Sequence, residues 1–272
     1  MKKLVGVFLL LFFSHLFASS SCYQIYKTSV KPSSEINTAV FVLIDETTLF
    51  DDKLKQQVIS NVVSKIAPAN YVYIAKFSAF IDGHYNEKVF DFLLDVPLTN
   101  EQRHYERKDV LGRVDKCLKD QGRYVFNQVN ASIMNSFLVP GNDIAKSDIL
   151  YALQDFGINV ISQTEASEKI VILVSDMLEN STISSFYSKG TARLINPSIE
   201  LQKVDKENLF SDFGGAKVYI IGAGIVPTNL KAGTYRDPKI LASLKNFWEE
   251  YFQQSNANLI EMGQPALKQP VR

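Results

Sequence analysis

Two hydrophobic patterns alternate along the chain. In the first, apolar residues follow one another with no polar position between them. Residues 39–44 run straight into Asp45, and residues 170–174 run through Ser175 into Asp176. A segment that is apolar on both faces is how a central strand of a parallel sheet reads, because helices cover both of its sides. Residues 71–80, 88–96, 216–222 and 258–262 are more mixed runs and predict four further strands. In the second pattern, apolar residues return every three or four positions. Leu54, Val58, Val62 and Ile66 define a helix over 51–66, with Asp51 and Asp52 in its first turn and Pro68 closing it. Ile240, Leu241, Leu244, Phe247, Trp248 and Tyr251 line one side of a second helix over 238–254. A further helix opens near Ser147, after Pro140 and Gly141.

Residues 100–135 are long, charged and mostly helical, and Gly112 and Gly122 predict interruptions there. Seven Lys/Arg and five acids lie between Glu101 and Tyr124, which reads as a solvated helical face and not a basic patch. Residues 181–212 show little periodicity and predict a long surface excursion, and residues 22–38 an extended lead-in. Strand and helix alternate throughout, so the expected fold is a single α/β domain of Rossmann-like, doubly wound type. Its central sheet is mostly parallel, with helices on both faces.

The composition fits that expectation. The 272 residues are 46% hydrophobic, with 29 Lys+Arg against 29 Asp+Glu. That excludes a disordered or disulfide-dense chain and argues against a nucleic-acid partner, which calls for a basic excess. The first 21 residues read as an export signal. Lys2 and Lys3 precede an apolar run over 4–13, and small residues Ala18, Ser19, Ser20 and Ser21 follow, with cleavage after Ser20 acceptable. Ser14 and His15 stop the run short of a membrane span, and no other segment is long and apolar enough to be one. An exported protein with two cysteines can close one loop, here Cys22 to Cys117. Cys22 also stands where a lipid-attachment cysteine would, and the two fates exclude each other.

The chemistry concentrates at two strand ends. In an open α/β sheet, ligands bind beyond the carboxyl ends of the strands, where strand order reverses. Asp45 and Asp176 each follow a buried strand, and two close carboxylates call for a shared proton or a cation. Hard oxygen donors of this kind suit Mg²⁺, Mn²⁺ or Ca²⁺. Each residue also has a plainer reading: Ser147 as a helix N-cap, Thr47 as a turn residue, and the aspartates as acceptors of backbone N–H groups.

Taken in order, these segments resemble the von Willebrand factor A-like family. Asp45-Glu46-Thr47-Thr48-Leu49 is similar to its Asp-x-Ser/Thr-x-Ser loop. Ser147 opening a helix is similar to its second motif, and residues 171–176 to the strand that delivers a third element, an Asp. The resemblance covers roughly 39–262 and implies a domain over 39–265 with a helical insertion at about 97–140. It further implies a divalent-cation adhesion site at Asp45, Thr47, Ser147 and Asp176, with one coordination position left for an acidic residue of a partner protein. Leu49 departs from the pattern, standing where a second hydroxyl belongs. The function so implied is that of an exported, periplasmic or secreted binding module, not an enzyme, with the insertion supplying partner specificity. A metal-free assembly protein of the cell envelope is the first alternative, and a metal-dependent hydrolase the second.

Other motifs are weaker. Gly222 and Gly224 read as a strand-end turn and not a dinucleotide loop, because Pro227 replaces the third glycine and no helix follows at once. An aspartyl phosphatase would need an acid where Thr47 stands.

Overall fold

A computed structural model describes residues 21–78, 86–137, 147–188, 191–225 and 237–272. The expected export signal, apart from Ser21, lies outside the described residues, as do Pro140 and Gly141.

The chain opens on a one-turn helix, α1 (Cys22–Ile25), where an extended lead-in was expected. The side chain of Ser21 caps it by accepting from the Tyr23 N–H. Strand β1 (Thr38–Asp45), helix α2 (Asp52–Val63) and strand β2 (Tyr71–Phe77) follow, then strand β3 (Glu87–Leu93). Helices α3 (Asn100–His104), α4 (Lys108–Asn135) and α5 (Ile149–Phe156) come next, the last extended by a π-helical turn over Gly157–Ile161. Strand β4 (Glu168–Val174) leads to a small hairpin, β5 (Tyr187–Ser188) and β6 (Thr191–Ala192). Helix α6 (Pro197–Lys206), strand β7 (Ala216–Ile221), helix α7 (Pro238–Gln254) and strand β8 (Ala257–Met262) complete the fold.

Six strands form one sheet in the order β3-β2-β1-β4-β7-β8. All neighbours are parallel except β3, which runs antiparallel to β2 at the edge. The fold is therefore the expected doubly wound, mostly parallel α/β sheet. Strands β1 and β4 explain their uninterrupted apolar runs. Phe41, Leu43, Val171 and Leu173 face a core built with α5, α6 and α7. Val40, Val42, Ile44, Ile170, Ile172 and Val174 face a second core built with α2 and α4. Successive residues on a strand point to opposite faces, so a strand with a core on each side has no position left for a polar residue.

Three expectations need correction. Helix α4 runs through Gly112 and Gly122 without interruption. A glycine costs a helix interior only about 1 kcal/mol, and α4 more than offsets that by burying Val125, Val129 and Ile133 in the core against α2 and the sheet. The stretch at 97–140 is therefore only partly an insertion, since the second half of α4 is a core helix. The expected surface excursion at 181–212 instead carries the hairpin and α6, and buries Phe186, Leu201, Val204 and Leu209. Its short elements leave no periodic trace in the sequence.

Cys22 and Cys117 form a disulfide that ties α1 to the middle of α4. Around it, Tyr23, Leu98 and Val114 make a small separate cluster. The Cys22 N–H donates to Asp95 at 2.7 Å, and the Tyr23 hydroxyl donates to the Val96 carbonyl at 2.5 Å. With its sulfur bonded to Cys117, Cys22 has no thiol to carry a lipid, which removes the lipid-anchor expectation. At the other end, the chain beyond 265 stays packed: Leu267 exchanges two hydrogen bonds with Gln57, and the Val271 N–H donates to Asn61. Among the described residues, no helix is long and apolar enough to cross a membrane.

Candidate functional site

Strand order reverses between β1 and β4. The chain leaves β1 for β2 on one side, and leaves β4 for β7 on the other. Asp45 is the last residue of β1, and Asp176 lies two residues beyond the end of β4. Both carboxylates are thus delivered to the crevice where α/β sheets bind ligands.

Local chemistry shapes each loop. Asp45 closes a tight turn on itself: its Oδ1 accepts from the Thr47 N–H at 2.9 Å and from the Thr47 hydroxyl at 2.6 Å. Its Oδ2 accepts from the hydroxyls of Ser175 at 2.7 Å, Ser147 at 3.2 Å and Thr48 at 3.4 Å. After β4 the backbone turns sharply at Met177, whose φ is 59°. The Ser175 hydroxyl accepts from the Met177 N–H, and Asp176 Oδ1 accepts from the Leu178 N–H at 2.8 Å. Asp176 Oδ2 accepts from the Tyr187 hydroxyl at 2.8 Å. Beneath this loop passes the turn after β7. At Gly222, φ is 109°, and a Cβ there would stand 2.6 Å from the Phe50 ring and 2.9 Å from the Ser175 carbonyl. That close approach is why glycine is needed, and the expectation of a strand-end turn holds.

Of the four residues expected at the site, Thr47 and Ser147 hydrogen-bond to Asp45, and Asp176 lies near enough for its carboxyl to feel the Asp45 charge. Asp45 is fully buried, while Asp176 and Ser147 are 6% and 5% exposed. Thr47 is half-buried on the same turn. Ser147 is not the cap of α5. It precedes the cap residue Asp148, and its carbonyl accepts from the Asn180 N–H at 3.0 Å while its hydroxyl serves Asp45. The cap's work falls instead to Glu179, whose Oε2 accepts from the Leu150 N–H at 3.0 Å.

Ser175 and Tyr187 were missed by sequence reasoning, and Thr48 was set aside there because neighbouring side chains in an extended loop diverge. Thr48 is 3% exposed, and its hydroxyl both donates to Asp45 and accepts from the Asp176 N–H at 3.4 Å. Leu49, by contrast, turns outward and is 39% exposed. Ser175 was legible in principle as the polar residue between an apolar strand and its terminal aspartate. Nothing in the sequence marks Tyr187.

Electrostatics sharpen the picture. Burial pushes the Asp45 carboxyl above the usual range, offset by hydrogen bonds from Thr47, Ser175 and Ser147. Burial and the nearby Asp45 charge push Asp176 up to about 8. Burial and the Asp176 charge raise the Tyr187 phenol above its ordinary value. The site is thus two desolvated carboxylates that repel each other, ringed by four alcohols. A hydroxyl has one donor and two lone pairs, so each can give its proton to Asp45 and still offer oxygen to a cation. By donor type and charge, this oxygen set fits Mg²⁺, Mn²⁺ or Ca²⁺. Among the described residues, no three His, Cys, Asp or Glu side chains gather in a way that would hold a metal, so any cation here depends on the alcohols.

No protein-family model matches the sequence, and no curated protein matches it. Solved structures give remote likenesses. One is the three N-terminal domains of the type V pili tip protein Mfa5 from Porphyromonas gingivalis, at 12% identity and TM-score 0.33. That match covers 65% of this chain and spans 28% of the pilus chain. Another is an aerotolerance-related membrane protein from Bacteroides fragilis, at 10% identity and TM-score 0.33, covering 84% of this chain and 92% of that one. Similarity at this level says nothing of what this chain binds.

Proposed function

We propose that this chain is an exported binding module of von Willebrand factor A-like type. In this reading it recognises an acidic residue of a partner protein through a divalent cation held by Asp45, Thr47, Ser147 and Asp176, with Thr48 replacing the alcohol missing at Leu49. The observation that carries it is Asp45 gathering the hydroxyls of Thr47, Thr48 and Ser147 beside Asp176, whose backbone N–H reaches Thr48, at the point where strand order reverses. A bound cation supplies an open coordination position for the partner's carboxylate. The protein's own part is to hold the ligands ready: Asp45 fixes the alcohols by accepting from them, and Asn180 pins Ser147 against the Asp176 loop. The disulfide supports an oxidising compartment, the periplasm or the exterior. The exposed rings of Tyr105 and Phe126, around α3 and α4, supply surface for partner choice.

A second reading has one specific observation in its favour. Every carboxylate oxygen of Asp45 and Asp176 already takes a donor from the protein. On that reading the same network only locks three loops together, and the chain holds envelope partners through its surface alone.

Thermal unfolding with added Mg²⁺, Mn²⁺ or Ca²⁺ separates the two. A ligand bound only to the native state raises the melting temperature. The cation reading expects a rise at millimolar cation that Asp45→Asn abolishes. No rise for any of the three leaves the metal-free reading.

A further inference from the structure

Asp176 is held on both sides. Its Oδ1 takes the Leu178 N–H and its Oδ2 takes the Tyr187 hydroxyl, each at 2.8 Å. The hairpin that carries Tyr187 is firmly moored. Arg193 donates from Nε to the Ser185 carbonyl at 2.6 Å and from its guanidinium to Glu200 at 2.7 Å. Glu200, 4% exposed on α6, is also held by Ser184 and Lys203. Phe186, next to Tyr187, packs edge-on against Phe247 with ring centroids 5.1 Å apart. Trp248 lies on the same cluster and donates from its ring nitrogen to the Met177 carbonyl at 3.0 Å. One core therefore fixes both the phenol and the carboxylate it caps.

We propose that Tyr187 is the residue that sets cation selectivity at this site, by occupying Asp176 Oδ2 and denying a cation two-oxygen chelation by that carboxylate. The proposal rests on the cation reading above. Ca²⁺ takes six to eight oxygens and often a carboxylate through both of its oxygens, whereas Mg²⁺ takes six and keeps several waters. A carboxylate with both oxygens already engaged therefore penalises Ca²⁺ more than Mg²⁺.

Tyr187→Phe removes the hydroxyl and keeps the ring. Isothermal titration of the purified wild-type and variant proteins with CaCl₂ and MgCl₂ reads the effect. Emission from Trp248, the sole tryptophan, reports in parallel whether the Met177 loop moves as cation binds. The expected result is Ca²⁺ binding about tenfold tighter in the variant, the scale of one hydrogen bond to a charged group, with a smaller gain for Mg²⁺. Ca²⁺ binding in the variant alone also supports the proposal. Binding that is present but equal in the two proteins, or weaker in the variant, overturns it and leaves the cation reading intact. Absence of binding in both proteins overturns the cation reading and this proposal together.

Discussion

Two residues, Thr48 and Glu179, carry consequences that can be measured singly. Thr48 touches both halves of the site, Asp45 through its hydroxyl and Asp176 through the backbone N–H. Thr48→Val keeps the shape and removes the alcohol. It is expected to cost about 1 kcal/mol in urea unfolding, the worth of a buried hydrogen bond, and to weaken cation-induced stabilisation. Glu179 is fully buried, and its Oε1 finds no hydrogen-bond partner among the described residues. Burial pushes its carboxyl from 4.5 up to about 8. The folded state therefore holds a proton that the unfolded chain releases. Its stabilising contribution is complete below about pH 4.5 and falls away as pH rises to about 8. Glu179→Gln, neutral at every pH, should lie close to wild type at pH 5 and exceed it at pH 9 by on the order of 4 kcal/mol. Equal slopes of stability against pH in the two proteins would contradict that origin.

At the scale of elements, what could be read from the sequence depended on what the core imposes. The strands β1 and β4 were legible because a core on each face forbids polar positions, and their terminal aspartates stood out against that run. Thr48 was not legible, because whether a loop residue points inward depends on a turn closed by Asp45 hydrogen bonds. Tyr187 sits on a strand of two residues, too short for any period. Helix α4 shows the opposite failure, in which local propensity was trusted over packing. At Gly112 and Gly122, an added Cβ would meet nothing within 4 Å. Gly112→Ala and Gly122→Ala should therefore each stabilise the protein by about 0.5–1 kcal/mol. A loss of stability from either would mean that the helix needs a break there.

Over the whole molecule, two cores share one sheet, and the disulfide fastens a third, smaller cluster at the margin. The bridge spans 95 residues of chain, so it restricts the unfolded state over a long loop. Reduction, or Cys117→Ser, should lower stability by about 2–5 kcal/mol while the sheet and the site persist, because neither core contains either cysteine. Unfolding in urea with and without reductant measures the loss. Cation-induced stabilisation retained in Cys117→Ser shows that the site is independent of the bridge. The doubly wound sheet was legible in the sequence, and the pairing of Cys22 with Cys117 was one of the fates it left open for Cys22. The mooring of Asp176 and Tyr187 was not, because it arises from Arg193 meeting Glu200 and Trp248 meeting Met177 only in the folded chain.

The central claim, that the carboxylates and alcohols at the β1–β4 junction hold a cation, is met most directly by diffraction from crystals grown with Mn²⁺, recorded at the manganese absorption edge. The account predicts one anomalous peak among the oxygens of Asp45, Thr47, Thr48, Ser147 and Asp176. An ordered site with those oxygens still bonded only to one another, and no anomalous peak between them, would contradict it.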